Sequence, residues 1–173
     1  MKKVLFRETQ QFKQGWNLYL ILITHVPLLI FFFYALYQQA VKGIQVGDNP
    51  APNWVLILLI ITMIIVLWGL LVMRLEVWIN QEGIHYRFFP LIFKNKLIFK
   101  AAIQRYEIRK YSAILDYGGW GIRRGLGRKW GKGYIVSGNM GLQLYLTNGK
   151  KVLFSTQRSQ AIMYAMDEMM KIK

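Results

Sequence analysis

Two uninterrupted apolar runs constrain this chain more than any other feature. Trp16 to Tyr37, WNLYLILITHVPLLIFFFYALY, and Trp54 to Met73, WVLILLIITMIIVLWGLLVM, contain no Asp, Glu, Lys or Arg. At about 1.5 Å per residue, roughly 20 helical residues cross a hydrocarbon core of about 30 Å, and both runs reach that length. A buried helix of a soluble domain is expected to keep a polar face, and neither run has one. Lysines precede the first run, as they would a secretory signal. Its apolar part, however, exceeds the roughly 7–15 residues of a signal core, and no small-x-small cleavage pattern follows. Both runs are therefore expected to be retained transmembrane helices. Trp16, Tyr19, Tyr34, Tyr37 and Trp54 at their ends suit the interfacial layer.

Charge then orients the hairpin. Lys2, Lys3, Arg7 and Lys13 precede the first run, the connection from Gln38 to Asn53 holds only Lys42, and cations are frequent after Arg74. The positive-inside rule places both termini in the cytoplasm. The expected organisation is a basic N-terminal segment over 1–15, a transmembrane hairpin over 16–73 and a cytoplasmic domain over 74–173. Hydrophobic residues make up 54% of the chain, yet its formal net charge is +15, which fits lipid-embedded segments joined to a basic soluble part. The absence of cysteine excludes disulfides, thiol catalysis and Cys-ligated metal.

The region after Arg74 alternates like strand. RLEVWIN and IHYRFF have a period of two, and NKLIF, RYEIRKY, YIV, LQLYL and KVLFS are further candidates. Asn148-Gly149, between the last two, is a strong hairpin signal because both residues tolerate positive φ. From Arg158 to Lys171 the period becomes helical, with Ile162, Ala165, Met166 and Met169 on one face. Ser155, Thr156 and Ser159 are all suitable N-caps. The expected count is about seven strands and one C-terminal amphipathic helix.

Three blocks in this order, YGGWGIR (Tyr117 to Arg123), GKGYIVSGNMGLQLYL (Gly131 to Leu146) and NGKKVLFSTQR (Asn148 to Arg158), carry a resemblance. The chain resembles small bacterial membrane proteins in which a two-helix hairpin precedes a bacterial PH-like domain. The resemblance implies a membrane α-helical hairpin plus a mainly-β PH-like domain, in the bacterial inner membrane. Gly133 and Ile135 stand where such proteins usually have Ala and Asn, and Ser155 where they usually have Gly. The resemblance implies a fold and a location rather than a reaction.

The glycine-rich stretch from Tyr117 to Gly141 holds the densest positive charge. It is no P-loop, since Gly131-Lys132 is followed by Gly133 and Leu126 stands five residues before Gly131. The dinucleotide pattern fails as well, because Trp130 occupies its last position. Arg123, Arg124, Arg128, Lys129 and Lys132, with Trp120 and Trp130, have a composition that suits anionic headgroups. Lys and Arg near such a surface gain about 1 kcal/mol each, and Trp favours the interface. The competing reading gives the glycines to tight turns, packs Trp120 on the domain and leaves the charges solvated. Nucleic acid is the less available partner for a domain tethered at a membrane, and none is expected.

Catalysis finds no support. The eight acidic residues form no readable acid–base pair, Glu76 and Glu107 read as surface charge, and His85 reads as an exposed strand residue. Neither a cofactor nor a metal is expected. His25, inside the first run and two residues before Pro27, is an intramembrane polar site, which is a functional candidate by default. The expectation is a non-catalytic, membrane-anchored binding or scaffold protein that contacts anionic lipid. A membrane-protein partner is expected too, as an accessory subunit of a complex, or else further copies of this chain. The alternative is a small homo-oligomeric channel or transporter with His25 in its path.

Overall fold

The computed structural model describes residues 4–12, 17–127 and 130–171. They form two compact units, Trp16–Leu71 and a second one in which Met1–Gly15 joins Val72–Lys173. The first unit carries helix α1 (Asn17–Ala40) and most of α2 (Asn53–Val72), both long and apolar enough to cross a membrane. Both threonines of these helices turn to their own backbone. The Thr24 hydroxyl reaches the Leu20 and Ile21 carbonyls at 3.1 and 3.0 Å, and Thr62 donates to Leu58 at 2.8 Å. Internal bonding of this kind is what a lipid environment demands of polar groups.

Among the described residues the second unit has nine strands rather than seven. Strands β1 (Val4–Gln11), β2 (Arg74–Asn80), β3 (Gly83–Phe89) and β4 (Ile92–Phe99) form one antiparallel sheet in that order. The other sheet contains β5 (Ile103–Lys110), β6 (Gly121–Arg124), β7 (Lys132–Ile135), β8 (Met140–Leu146) and β9 (Lys151–Ser155), in the order β5-β8-β9-β7-β6. A short helix α3 (Ala113–Tyr117) separates β5 from β6, and α4 (Ser159–Lys171) ends the unit. The sheets meet through aromatic rings: Tyr86 of β3 lies 4.8 Å from Tyr134 of β7 and 5.0 Å from Phe154 of β9. Helix α4 packs on β1, β2, β5 and β8, with Ile162, Ala165, Met166 and Met169 buried as its periodicity indicates.

The two strands beyond the expected seven are β1 and β6. Residues 1–15 are read from sequence as a basic N-terminal segment, yet Val4–Gln11 pairs with β2, from Gln11 opposite Arg74 to Val4 opposite Asn80. Its inward positions are Phe6, Glu8 and Gln10, so two of three buried side chains are polar and no hydrophobic alternation marks the strand. Strand β6 offers only Ile122 as a large apolar residue.

The buried polar groups of β1 have specific partners. The Glu8 carboxylate accepts from the Thr156 hydroxyl at 2.7 Å and from the Gln157 N–H at 2.8 Å. The Ser155 hydroxyl donates to Gln10 Oε1 at 2.7 Å while accepting the Val136 N–H. The STQR block is thus the junction of β1, β9 and α4, and its hydroxyls satisfy groups that would be costly to bury alone. Two further readings change. Glu76 is buried rather than a surface charge, with both carboxylate oxygens 2.8 Å from Arg87 Nη2 on the next strand. His85 is half-buried and stacks on Trp78 with ring centroids 5.2 Å apart.

Candidate functional site

The local geometry of the glycine-rich region starts at α3. Ser112 caps that helix by accepting the Leu115 N–H, and Asp116 returns a bond to the Ser112 N–H, both at 3.1 Å. Gly118, at φ 70°, ends the helix in the left-handed conformation that glycine adopts without strain. Trp120 then packs edge-on against Phe12, with centroids 6.1 Å apart. Trp120 and Trp130 are both half-buried against a small core of Tyr111, Tyr117, Ile135 and Leu153.

Arg109 on β5 organises this core, and the sequence reading missed it. Its guanidinium lies 3.9 Å from the Trp130 ring centroid, donates to Tyr117 at 3.0 Å and to Gln143 at 3.1 Å, and is 3.5 Å from Asp116. Burial pushes the Tyr117 phenol above its ordinary pKa, and the charge of Arg109 partly offsets that rise. The only sequence signal was one cation on a mixed strand, which reads equally as solvated charge. On the same strand, Glu107 accepts from the Tyr145 hydroxyl at 2.7 Å and pairs with Arg105, and these contacts hold its carboxyl below the usual range.

The predicted cations divide. Arg124 and Lys132 are exposed and face each other across the β6–β7 pair. Arg123 turns back, donating from Nε to the Trp120 carbonyl at 2.8 Å. Arg128 and Lys129 lie outside the described residues. What brings a cleft together is the one parallel pairing among the described strands, β7 with β9, which places Lys132 opposite Val152. Parallel strands start at the same end, so the turn entering β7 and the turn entering β9 lie side by side. Between them is a cleft of about 740 Å³, lined by Arg124 and Lys132 from one hairpin and Lys150 and Lys151 from the other. Gly125, Gly127, Gly131 and Gly149 contribute only backbone to its walls. No carboxylate lines it among the described residues. Lys150 and Lys151 were not among the sequence candidates, because nothing local indicates that the Asn148-Gly149 turn meets the glycine-rich one.

Elsewhere, His25 Nδ1 lies 3.1 Å from the Ile21 carbonyl and 3.2 Å from the Thr24 hydroxyl, so it bonds within α1. Among the described residues no group of three or more His, Asp or Glu side chains could hold a metal ion.

These features define a class: two apolar helices long enough to cross a membrane, followed by a mostly-β domain with a cationic cleft. Comparison with family models, curated proteins and solved structures finds no match for this chain.

Proposed function

We propose that this chain is a non-catalytic binding protein of the bacterial inner membrane. Its helical hairpin spans the bilayer, both termini are cytoplasmic, and its PH-like β domain takes anionic lipid headgroups in the cationic cleft. Two packed sheets with a helix after the last strand support the PH-like reading. The observation that carries the binding role is that Arg124, Lys132, Lys150 and Lys151 all line one glycine-rich hollow, with no carboxylate lining it among the described residues. Each such cation contributes about 1 kcal/mol near an anionic surface, and arginine adds bidentate contact with phosphate oxygens. The domain acts as a scaffold within a larger membrane complex or an assembly of its own copies.

The test is purification of the full-length protein from native membranes in mild detergent, followed by intact-particle mass determination. Retained anionic phospholipid that is lost when Arg124, Lys132 and Lys150 are changed to Gln supports the cleft. Retention unchanged by those substitutions rejects it. The same masses report whether other proteins accompany the chain in fixed ratio or whether it assembles with itself.

A further inference from the structure

The β3–β4 turn has a composition that water alone does not explain. Leu91 is 65% exposed and Phe93 67%, with the Phe93 ring edge-on to Phe89 at 5.3 Å. Lys94 and Lys96 follow directly and are exposed.

The register shows where this turn lies. Phe89, the last residue of β3, pairs with Arg74, the first of β2, and the Arg74 guanidinium is 5.2 Å from the Phe89 ring. Arg74 is two residues beyond Val72, where α2 ends, a reach of at most about 7 Å. Gln11, at the end of β1 that leads toward α1, also pairs with Arg74, and the Phe12 N–H bonds the Met73 carbonyl at 3.1 Å. Both chain connections to the helices therefore leave from the end of the sheet that carries Leu91 and Phe93. The opposite end of β2 and β3 lies about 20 Å away at roughly 3.3 Å per residue, and its turn is the polar Gln81-Glu82.

We infer that the β3–β4 turn is a membrane-docking element, in which Leu91 and Phe93 enter the interfacial layer of the bilayer crossed by α2 while Lys94 and Lys96 meet anionic headgroups. The inference rests on the reading of the helices as spans and deepens it. The occupant is lipid because the turn follows Phe89, which pairs with Arg74 only two residues after α2 ends. Removing such side chains from water is favourable, and neighbouring lysines add electrostatic attraction.

The chain has no cysteine, so a single introduced thiol can carry a nitroxide label. Full-length Phe93→Cys, Leu91→Cys, Gln81→Cys and Ile61→Cys variants would be reconstituted in phosphatidylethanolamine–phosphatidylglycerol vesicles. Collision with oxygen, which favours lipid, is compared with collision with a water-soluble nickel chelate. The expected result is an oxygen-to-nickel ratio several-fold higher at 91 and 93 than at 81. Equal ratios at the two ends of the sheet would overturn the inference. So would dipolar broadening between labels at 93, which would assign the turn to a second copy. The label at Ile61, within α2, reports separately on the span: a water-like ratio there would reject the anchoring reading itself.

Discussion

Glu8 accepts a hydrogen bond from the Thr156 hydroxyl at 2.7 Å, joining residues 148 positions apart. The contact joins parts of the β unit that flank the helical segment in sequence, because Glu8 precedes α1 and Thr156 follows β9. Its carboxylate is buried, so the Gln157 N–H and the Thr156 hydroxyl replace much of its hydration. Changing Thr156 to Val removes one of these donors and is expected to destabilise the β unit by about 1–3 kcal/mol. Thr9→Ala, at an exposed position on the same strand, should stay within about 0.5 kcal/mol. Denaturant unfolding of the full chain in detergent would compare them, and equal effects would mean that β1 is held by its backbone ladder alone.

Arg109 makes a sharper demand on side-chain shape. It combines a face-on contact with Trp130, a bond to Tyr117 and a bond to Gln143. Lysine keeps the charge but not the planar fork, so Arg109→Lys is expected to lose most of what Arg109→Met loses, about 2 kcal/mol. Full stability in Arg109→Lys would show that charge alone matters there.

Two glycines separate backbone strain from crowding. Gly127 and Gly131 both have positive φ, at 87° and 75°, so alanine at either carries roughly 1–2 kcal/mol of left-handed strain. A Cβ at Gly127 meets nothing within 4 Å, whereas one at Gly131 collides with the Lys151 backbone. Gly131→Ala should therefore be measurably less stable than Gly127→Ala. It should also weaken lipid retention, since the collision lies between the two turns that form the cleft.

Alkaline pH should loosen the β unit. Burial raises the phenol pKa of Tyr106 from 10.0 to about 12, helped by its bond to Asp167, and raises those of Tyr86 and Tyr111 further. The folded state holds these protons more tightly than an unfolded chain, whose tyrosines titrate near about 10. Their contribution is complete below about pH 10 and lost progressively as pH rises through the folded values. Tyrosinate absorbance should thus lag in the folded protein and rise together with unfolding. A smooth, non-cooperative titration centred near pH 10 would contradict the buried assignments.

Local pattern was legible where one residue type had one physical meaning. The apolar runs, the Asn148-Gly149 turn and the buried face of α4 all follow from periodicity or backbone preference, and the structure has each of them. The Ser112–Asp116 cap and the Gly118 terminus also lay in plain sight, but α3 is only five residues long and was missed. The candidate site was half legible. Arg124 and Lys132 stood out by charge density, whereas Lys150 and Lys151 did not, and Trp120 and Trp130 could be read equally as core or as interface.

By itself the sequence determined that two segments are apolar enough to leave water, because that property is a sum over consecutive residues and needs no partner. It also determined that strands and a final amphipathic helix follow, since alternation and helical period are local. Tertiary structure alone decided that residues 4–11 complete the first sheet, because their buried faces are polar and gain meaning only opposite Ser155, Thr156 and Gln157. It alone decided the cleft as well. A parallel pairing between β7 and β9 depends on contacts across the chain, and it is this pairing that brings the two cation-bearing turns to one hollow.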